Sequence, residues 1–124
     1  MAVGKISRGL KRMAGDLQCP VITMSQLNRD ADRAIETDPE SIPQLYQLRE
    51  SGSIEQDANM VMMLSRPGAR NDGIHDPTEA HLYVLKNRSG QAGAHIALQY
   101  APATTKFYND GTMPNRFKEG RWNA

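Results

Sequence analysis

Apolar residues at Val3, Ile6, Leu10, Met13 and Leu17 recur at steps of three and four, which places them on one side of an α-helix. Lys5, Arg8, Lys11 and Arg12 take the opposite side. Gly9 and Gly15 each weaken such a helix by about 1 kcal/mol relative to alanine, so tertiary packing must hold it. Pro20 is expected to end it. The next run, Pro20-Val21-Ile22-Thr23-Met24, is short, apolar and rich in β-branched residues, which predicts a buried strand. A helix feeding a buried strand is the second half of a βαβ unit, and the first half is not in this sequence. Residues 30–47 are polar and carry Pro39 and Pro43, a composition that predicts a long solvated loop. A short helix at about 53–57 and a second buried strand, Ala58 to Leu64, follow. The methionines of that strand read as core filler rather than as a cofactor box. Beyond a turn-rich stretch from Arg66 to Pro77, residues 79–87 alternate, with Ala80, Leu82 and Val84 on one face. Glycines at 90 and 93 then supply a turn into a strand from Ala94 to Tyr100, the pattern of a β-hairpin. Thr104 to Asn109 predicts a third antiparallel strand. Residues 111–124 have no periodicity and are expected to form a disordered tail.

Composition narrows the picture only slightly. A chain of 124 residues forms one domain at most, and a domain of that size buries roughly two-thirds of its surface. Hydrophobic content is 39%, with a mean hydropathy of −0.61, which indicates a soluble chain with a modest core. The net charge of +1 gives no global attraction to nucleic acid or membrane, so any DNA contact must come from locally placed cations. One cysteine, Cys19, allows no internal disulfide and suits a reducing, cytoplasmic compartment. No apolar run approaches the roughly 20 residues of a membrane span. The basic N-terminus lacks the apolar segment of a secretory signal.

Three stretches carry candidate chemistry. Leu48-Arg49-Glu50-Ser51-Gly52-Ser53-Ile54-Glu55-Gln56-Asp57-Ala58 reads as a loop stopping at a helix start. Ser53 stands where an N-cap belongs, with Gln56 at capping-box spacing. Gly52 lets a ligand approach the main chain, free N–H groups at a helix start attract anions, and Arg49 adds a positive fork suited to phosphate. A capped surface helix is the plainer alternative. Ser25-Gln26-Leu27-Asn28-Arg29 follows the first predicted strand, where open α/β sheets bind ligands. Gln26 both donates and accepts, so it can sense a terminal phosphate or orient a water, or simply satisfy a strand end. Lys86 and Arg88 stand two residues apart on a strand, which aims both cations the same way. Paired cations suit a transferring phosphoryl group, and an exposed basic turn is the alternative. His75, Asp76, Glu79 and His81 are close in sequence but lack metal-site spacing, and the acidic loop lacks the calcium pattern, so no metal site is expected.

The Leu48–Ala58 run closely resembles the signature of DnaB-type replicative DNA helicases, as does Ser25-Gln26-Leu27-Asn28-Arg29 after its apolar run. The resemblance extends over about residues 5–110. It implies an α/β fold, a RecA-like P-loop NTPase core of which this chain is the second half only: helix, buried parallel strands, then a C-terminal antiparallel hairpin. Residues 1–110 would be that partial motor domain and 111–124 the disordered tail. By resemblance, Gln26 would sense the γ-phosphate of ATP, while Arg49, Glu50 and Gly52 would bracket a phosphate of single-stranded DNA. Lys86 and Arg88 would match the Lys-x-Arg arginine finger that acts on a neighbour's ATP in a homo-oligomeric, hexameric ring. The complete motor would use ATP and Mg2+ to unwind duplex DNA during replication.

No G-x-x-x-x-G-K-[ST] phosphate loop occurs in the sequence; Gly4-Lys5-Ile6-Ser7 lacks the upstream glycine and the adjacent hydroxyl. The resemblance also implies that the magnesium-binding aspartate and catalytic glutamate belong upstream of the first helix. The chain alone is therefore expected to be inactive and to need no cofactor. A RecA-like recombination ATPase shares the fold class, but its DNA loops lack the Arg-Glu-Ser-Gly-Ser-Ile-Glu-Gln run. A non-catalytic DNA-binding or decoy module is the reading from a different class.

Overall fold

Helix α1 spans Ala2–Leu17, as the periodicity predicts. In the computed structural model, which describes residues 2–26, 44–45, 51–70, 73 and 75–118, this helix is followed by α2 (Ser51–Asp57), β1 (Met60–Ser65), a 3-10 turn (Pro67–Arg70), β2 (Glu79–Asn87), β3 (Ala94–Ala101), β4 (Lys106–Asn109) and α3 (Asn115–Lys118). The chain divides into two units, residues 1–61 with 85–92 and residues 62–84 with 93–124. No helix among the described residues is long and apolar enough to cross a membrane.

In the first unit α1 ends before Pro20 through its own backbone. Gln18 takes a left-handed conformation (φ 50°). Its N–H donates to the carbonyl of Gly15 at 3.3 Å, and that of Cys19 reaches the carbonyl of Ala14 at 3.2 Å. Those two bonds are a Schellman motif, which satisfies carbonyls the helix would otherwise leave open. The side of α1 that meets α2 is small and polar. Gly4 is buried, and a Cβ there would come within 2.8 Å of Ser53 Oγ, so the glycine sets how closely the helices approach. The predicted apolar stripe is largely uncovered: Ile6 is 59% and Leu17 64% exposed.

Two local expectations are corrected here. The run Pro20–Met24 is not a strand, and Ile22 and Met24 are 87% and 95% exposed. A strand needs a neighbour for its N–H and C=O groups, and none of the described strands pairs with this run. The helix expected at 53–57 begins at Ser51. Ser53 therefore lies inside α2 and packs on Gly4 instead of capping.

The sheet has the order β1-β2-β3-β4. The N–H of Arg88, just after β2, donates to the carbonyl of Asn59, just before β1, at 2.9 Å. That places the start of β1 beside the end of β2, an antiparallel pairing. Antiparallel pairing needs no crossover helix, and the chain between β1 and β2 is only residues 66–78. The predicted hairpin is present: β2 pairs antiparallel with β3, placing Ala80 opposite Leu98 and Val84 opposite Ala94. Gly93 supplies a positive φ of 86° at its turn. The third antiparallel strand is present as β4, with Leu98 opposite Asn109.

The second unit buries Met63, Ala80, Val84, Ala101 and Met113. Thr78 is also buried, held by Asp76 Oδ1, which accepts from its N–H and its hydroxyl at 2.8 Å each. The guanidinium of Arg66 lies 3.6 Å over the ring of Tyr100, a cation–π contact, while its Nε is buried with no hydrogen-bond partner among the described residues. Residues 111–118 differ from the expected disordered tail. Met113 is 2% exposed, Gln99 Oε1 accepts from the N–H groups of Gly111 (3.1 Å) and Met113 (3.3 Å), and α3 follows. A single apolar anchor has no periodicity, so pattern alone does not reveal it. Residues 119–124 lie outside the described residues.

Candidate functional site

A helix leaves its last four carbonyls without internal partners. In α2 the carbonyl of Ile54 accepts from the N–H of Ala58 at 2.9 Å, and the other three are met by cations from elsewhere in the chain. Lys11 Nζ donates to the carbonyl of Asp57 at 2.8 Å and to Asn59 Oδ1 at 3.1 Å. Lys86 Nζ donates to the carbonyl of Glu55, and Arg88 Nη2 donates to that of Gln56 at 2.9 Å. Three successive carbonyls thus each take one cation, where the helix dipole favours positive charge. Exposed contacts of this kind are worth roughly 0.3–1 kcal/mol each. Ser7 Oγ donates to Asp57 Oδ2, which adds a second tie between α1 and the end of α2.

Helix α2 and the end of β2 border an open cleft of about 780 Å³, lined in part by Gly52, Glu55, Gln56, Leu85, Lys86 and Arg88. Gly52 lies at the second position of α2, and a Cβ there would meet nothing within 4 Å, so its main chain is open to an approaching group. The cleft gathers the two cations, the carboxylate of Glu55 and an accessible backbone. Lys86 and Arg88 do share a locality, as their spacing predicts, but through carbonyls that sequence reasoning did not assign to them.

Gln26 is exposed at the end of the segment after α1, and Ser25 Oγ donates to its carbonyl at 3.4 Å. No hydrogen bond among the described residues joins it to Lys86 or Arg88. Arg49 and Glu50 lie outside the described residues. The sequence reading missed Ser7, Lys11 and Asp57. A signal was present: Gly4, Ser7 and Lys11 recur at three- and four-residue steps, a second, polar face of α1 beside its apolar stripe.

Among the described residues no group of three or more His, Cys, Asp or Glu side chains is placed to hold a metal ion. Of the four residues tested for a metal, Asp76 serves Thr78, whereas Glu79 Oε1 and His81 Nε2 lie 2.8 Å apart on β2.

The model of the DnaB-like helicase C-terminal domain family matches residues 1–109. The replicative DNA helicase DnaB of Haemophilus influenzae is 38% identical over 109 residues, covering 88% of this chain and 22% of that protein. DnaB of Geobacillus stearothermophilus is 35% identical over 119 residues, covering 96% of this chain and 24% of the relative. A solved DnaB-like replicative helicase, described with its interactions with primase, superposes with a TM-score of 0.73 at 32% identity and covers 86% of this chain and 25% of that one. The chain therefore spans about a quarter of the length of these relatives.

Proposed function

Because this chain belongs to the DnaB-like helicase C-terminal domain family, we propose that it works as part of an ATP-driven replicative motor that unwinds duplex DNA as a hexameric ring in the cytoplasm. In this reading Arg49, Glu50 and Gly52 bracket a phosphate of single-stranded DNA, Gln26 senses the nucleotide, and Lys86 and Arg88 act on a neighbouring subunit's ATP. The observation that carries it is the family match over residues 1–109, which includes the Leu48–Ala58 run.

The nucleotide fits this chain's residues only in part. Gln26, Lys86 and Arg88 can meet phosphate oxygens, but the sequence holds no phosphate loop and the described residues hold no carboxylate cluster for magnesium. Lys86 and Arg88 each donate one N–H to the carbonyls of Glu55 and Gln56, which leaves further donors on both cations for a phosphate. Helix α2 then has two tasks: it follows the proposed DNA-contacting stretch and holds the proposed finger at its other end.

The test uses a complete motor, made by fusing an upstream half to this chain. Arg49→Ala should weaken single-stranded DNA binding about equally for all sequences and reduce the log–log salt slope by roughly 0.7. Arg88→Ala should leave DNA affinity nearly intact and lower ATP turnover by roughly a thousandfold. Mixing Arg88→Ala subunits with subunits lacking the phosphate-loop lysine should restore some hydrolysis, because an intact finger can then meet an intact loop. Mixed rings that form without any recovery would refute action across subunits. The unfused chain should show no ATP turnover.

A further inference from the structure

Strands β2 and β3 bring together two imidazoles that the nucleotide and DNA chemistry does not use. In the hairpin register His81 faces Ala97 and Tyr83 faces His95, so the two histidines are diagonal neighbours on one face of the antiparallel pair. His81 Nδ1 lies 2.8 Å from His95 Nε2. The far nitrogen of His81, Nε2, lies 2.8 Å from Glu79 Oε1. Tyr83 stacks on the ring of His95 with centroids 4.7 Å apart and planes 14° apart, which orients that imidazole.

The tautomers follow from these contacts. A carboxylate can only accept, so Glu79 takes the proton on Nε2 of His81 and leaves Nδ1 with its lone pair. That lone pair faces Nε2 of His95, and the two nitrogens share one proton between them. A dication that binds neutral imidazole can take the place of this proton once His95 carries its own proton on Nδ1, the tautomer that frees the Nε2 lone pair. Two cis ligands about 2.0–2.1 Å from a metal lie roughly 2.9 Å apart when the angle between them is near 90°, close to the separation already present. Tetragonal coordination of that kind is typical of copper(II) and nickel(II). The carboxylate on the far nitrogen is the arrangement that fixes a metal-binding histidine and raises its basicity.

We propose that His81 and His95 form a two-imidazole site for a divalent late transition metal, copper(II) or nickel(II), with Glu79 orienting His81 and water completing the coordination. Because no third His, Cys, Asp or Glu joins the group among the described residues, the site chelates through two ligands and binds in the micromolar range rather than tighter. Its effect is a clip between β2 and β3. The assignment is independent of the helicase reading, because neither the nucleotide nor the DNA residues take part.

The test is a titration of the full chain with copper(II) or nickel(II) chloride, in a Cys19→Ser background because the Cys19 thiol is exposed. Binding is followed by the visible ligand-field band and by the histidine ring protons in NMR. One equivalent should bind, the ring signals of His81 and His95 should broaden together, and Tm should rise. His81→Gln and His95→Gln should each weaken binding at least thirtyfold, and Glu79→Gln roughly tenfold, as for other carboxylates behind a ligating histidine. Circular dichroism of each apo variant confirms that the hairpin is intact. Binding weaker than millimolar, or equal affinity in the His81→Gln variant, would overturn the site; broadening confined to His75 would do the same.

Discussion

Two short apolar runs of this chain have different fates. Val21-Ile22-Thr23-Met24 and Val61-Met62-Met63-Leu64 are each followed by a serine, and both predict a buried strand. The second is β1, paired in the sheet, with Val61 and Met63 buried at 7% and 4% exposure. The first forms no strand and is almost fully exposed at Ile22 and Met24. Propensity does not separate them, since the first run is the richer in β-branched residues. The difference is the partner. β1 has β2 beside it, whereas no described strand flanks residues 21–24. β1 itself repeats the contrast across its two faces, because Met60, Met62 and Leu64 on the other face are each about half exposed. An apolar run thus records that a partner is required, and it becomes a strand only where that partner is supplied.

The largest break in this comparison should come from truncating one buried and one exposed methionine. Met63→Ala removes a buried side chain and should cost about 2–5 kcal/mol, lowering Tm on the order of 10 °C or more for a domain of this size. Met24→Ala should stay within about 0.5 kcal/mol. Thermal melts of both variants decide the matter. If the two cost the same, residues 21–24 are packed in solution and the contrast between the runs is wrong.

The same logic accounts for what was legible beforehand. Wherever an element and its partner are both local, pattern sufficed: α1 from its 3.6-residue period, and the β2–β3 hairpin from alternation and from Gly93. Residues whose surroundings depend on distant chain were less legible. Ser53 looked like a cap because capping spacing is local, and its actual neighbour, Gly4, is far away in sequence. Lys86 and Arg88 were recognisable as a paired-cation motif, but their partners are backbone carbonyls, which no side-chain pattern encodes. Met113 is a lone anchor in an aperiodic stretch, so neither period marks it.

A smaller effect tests the turns that lead into a partnered and an unpartnered segment. Gln18, which leads toward residues 21–24, and Thr105, which leads into β4, both have φ of 50°. A left-handed conformation costs a side-chain-bearing residue about 1–2 kcal/mol, and a β-branched residue is the more strained. Gln18→Gly and Thr105→Gly should each stabilise the chain, by roughly 1 kcal/mol after the greater freedom of glycine in the unfolded state is counted. The gain should be larger at Thr105. In chemical denaturation the midpoint should rise with an unchanged slope. A loss of stability in Thr105→Gly would mean that its side chain contributes more to the β3–β4 turn than the backbone strain costs.

The smallest effect separates the two sides of α1, one partnered within the chain and one not. Alanine in place of an exposed helical glycine stabilises by about 0.5–1 kcal/mol, because glycine loses more backbone freedom on folding. Gly9→Ala should show that full gain, since a Cβ there meets nothing within 4 Å. Gly4→Ala has the same intrinsic gain, but its Cβ would stand 2.8 Å from Ser53 Oγ and 3.5 Å from Ser53 Cβ. The hydroxyl can rotate away only by giving up its place between α1 and α2, so the substitution should be neutral or destabilising. The double change Gly4→Ala with Ser53→Ala removes the hydroxyl and should recover most of the difference. A non-additive recovery in that cycle measures the contact directly. If Gly4→Ala alone stabilises as much as Gly9→Ala, the two helices are not in contact at Gly4, and this side of α1 is as unpartnered as its apolar stripe.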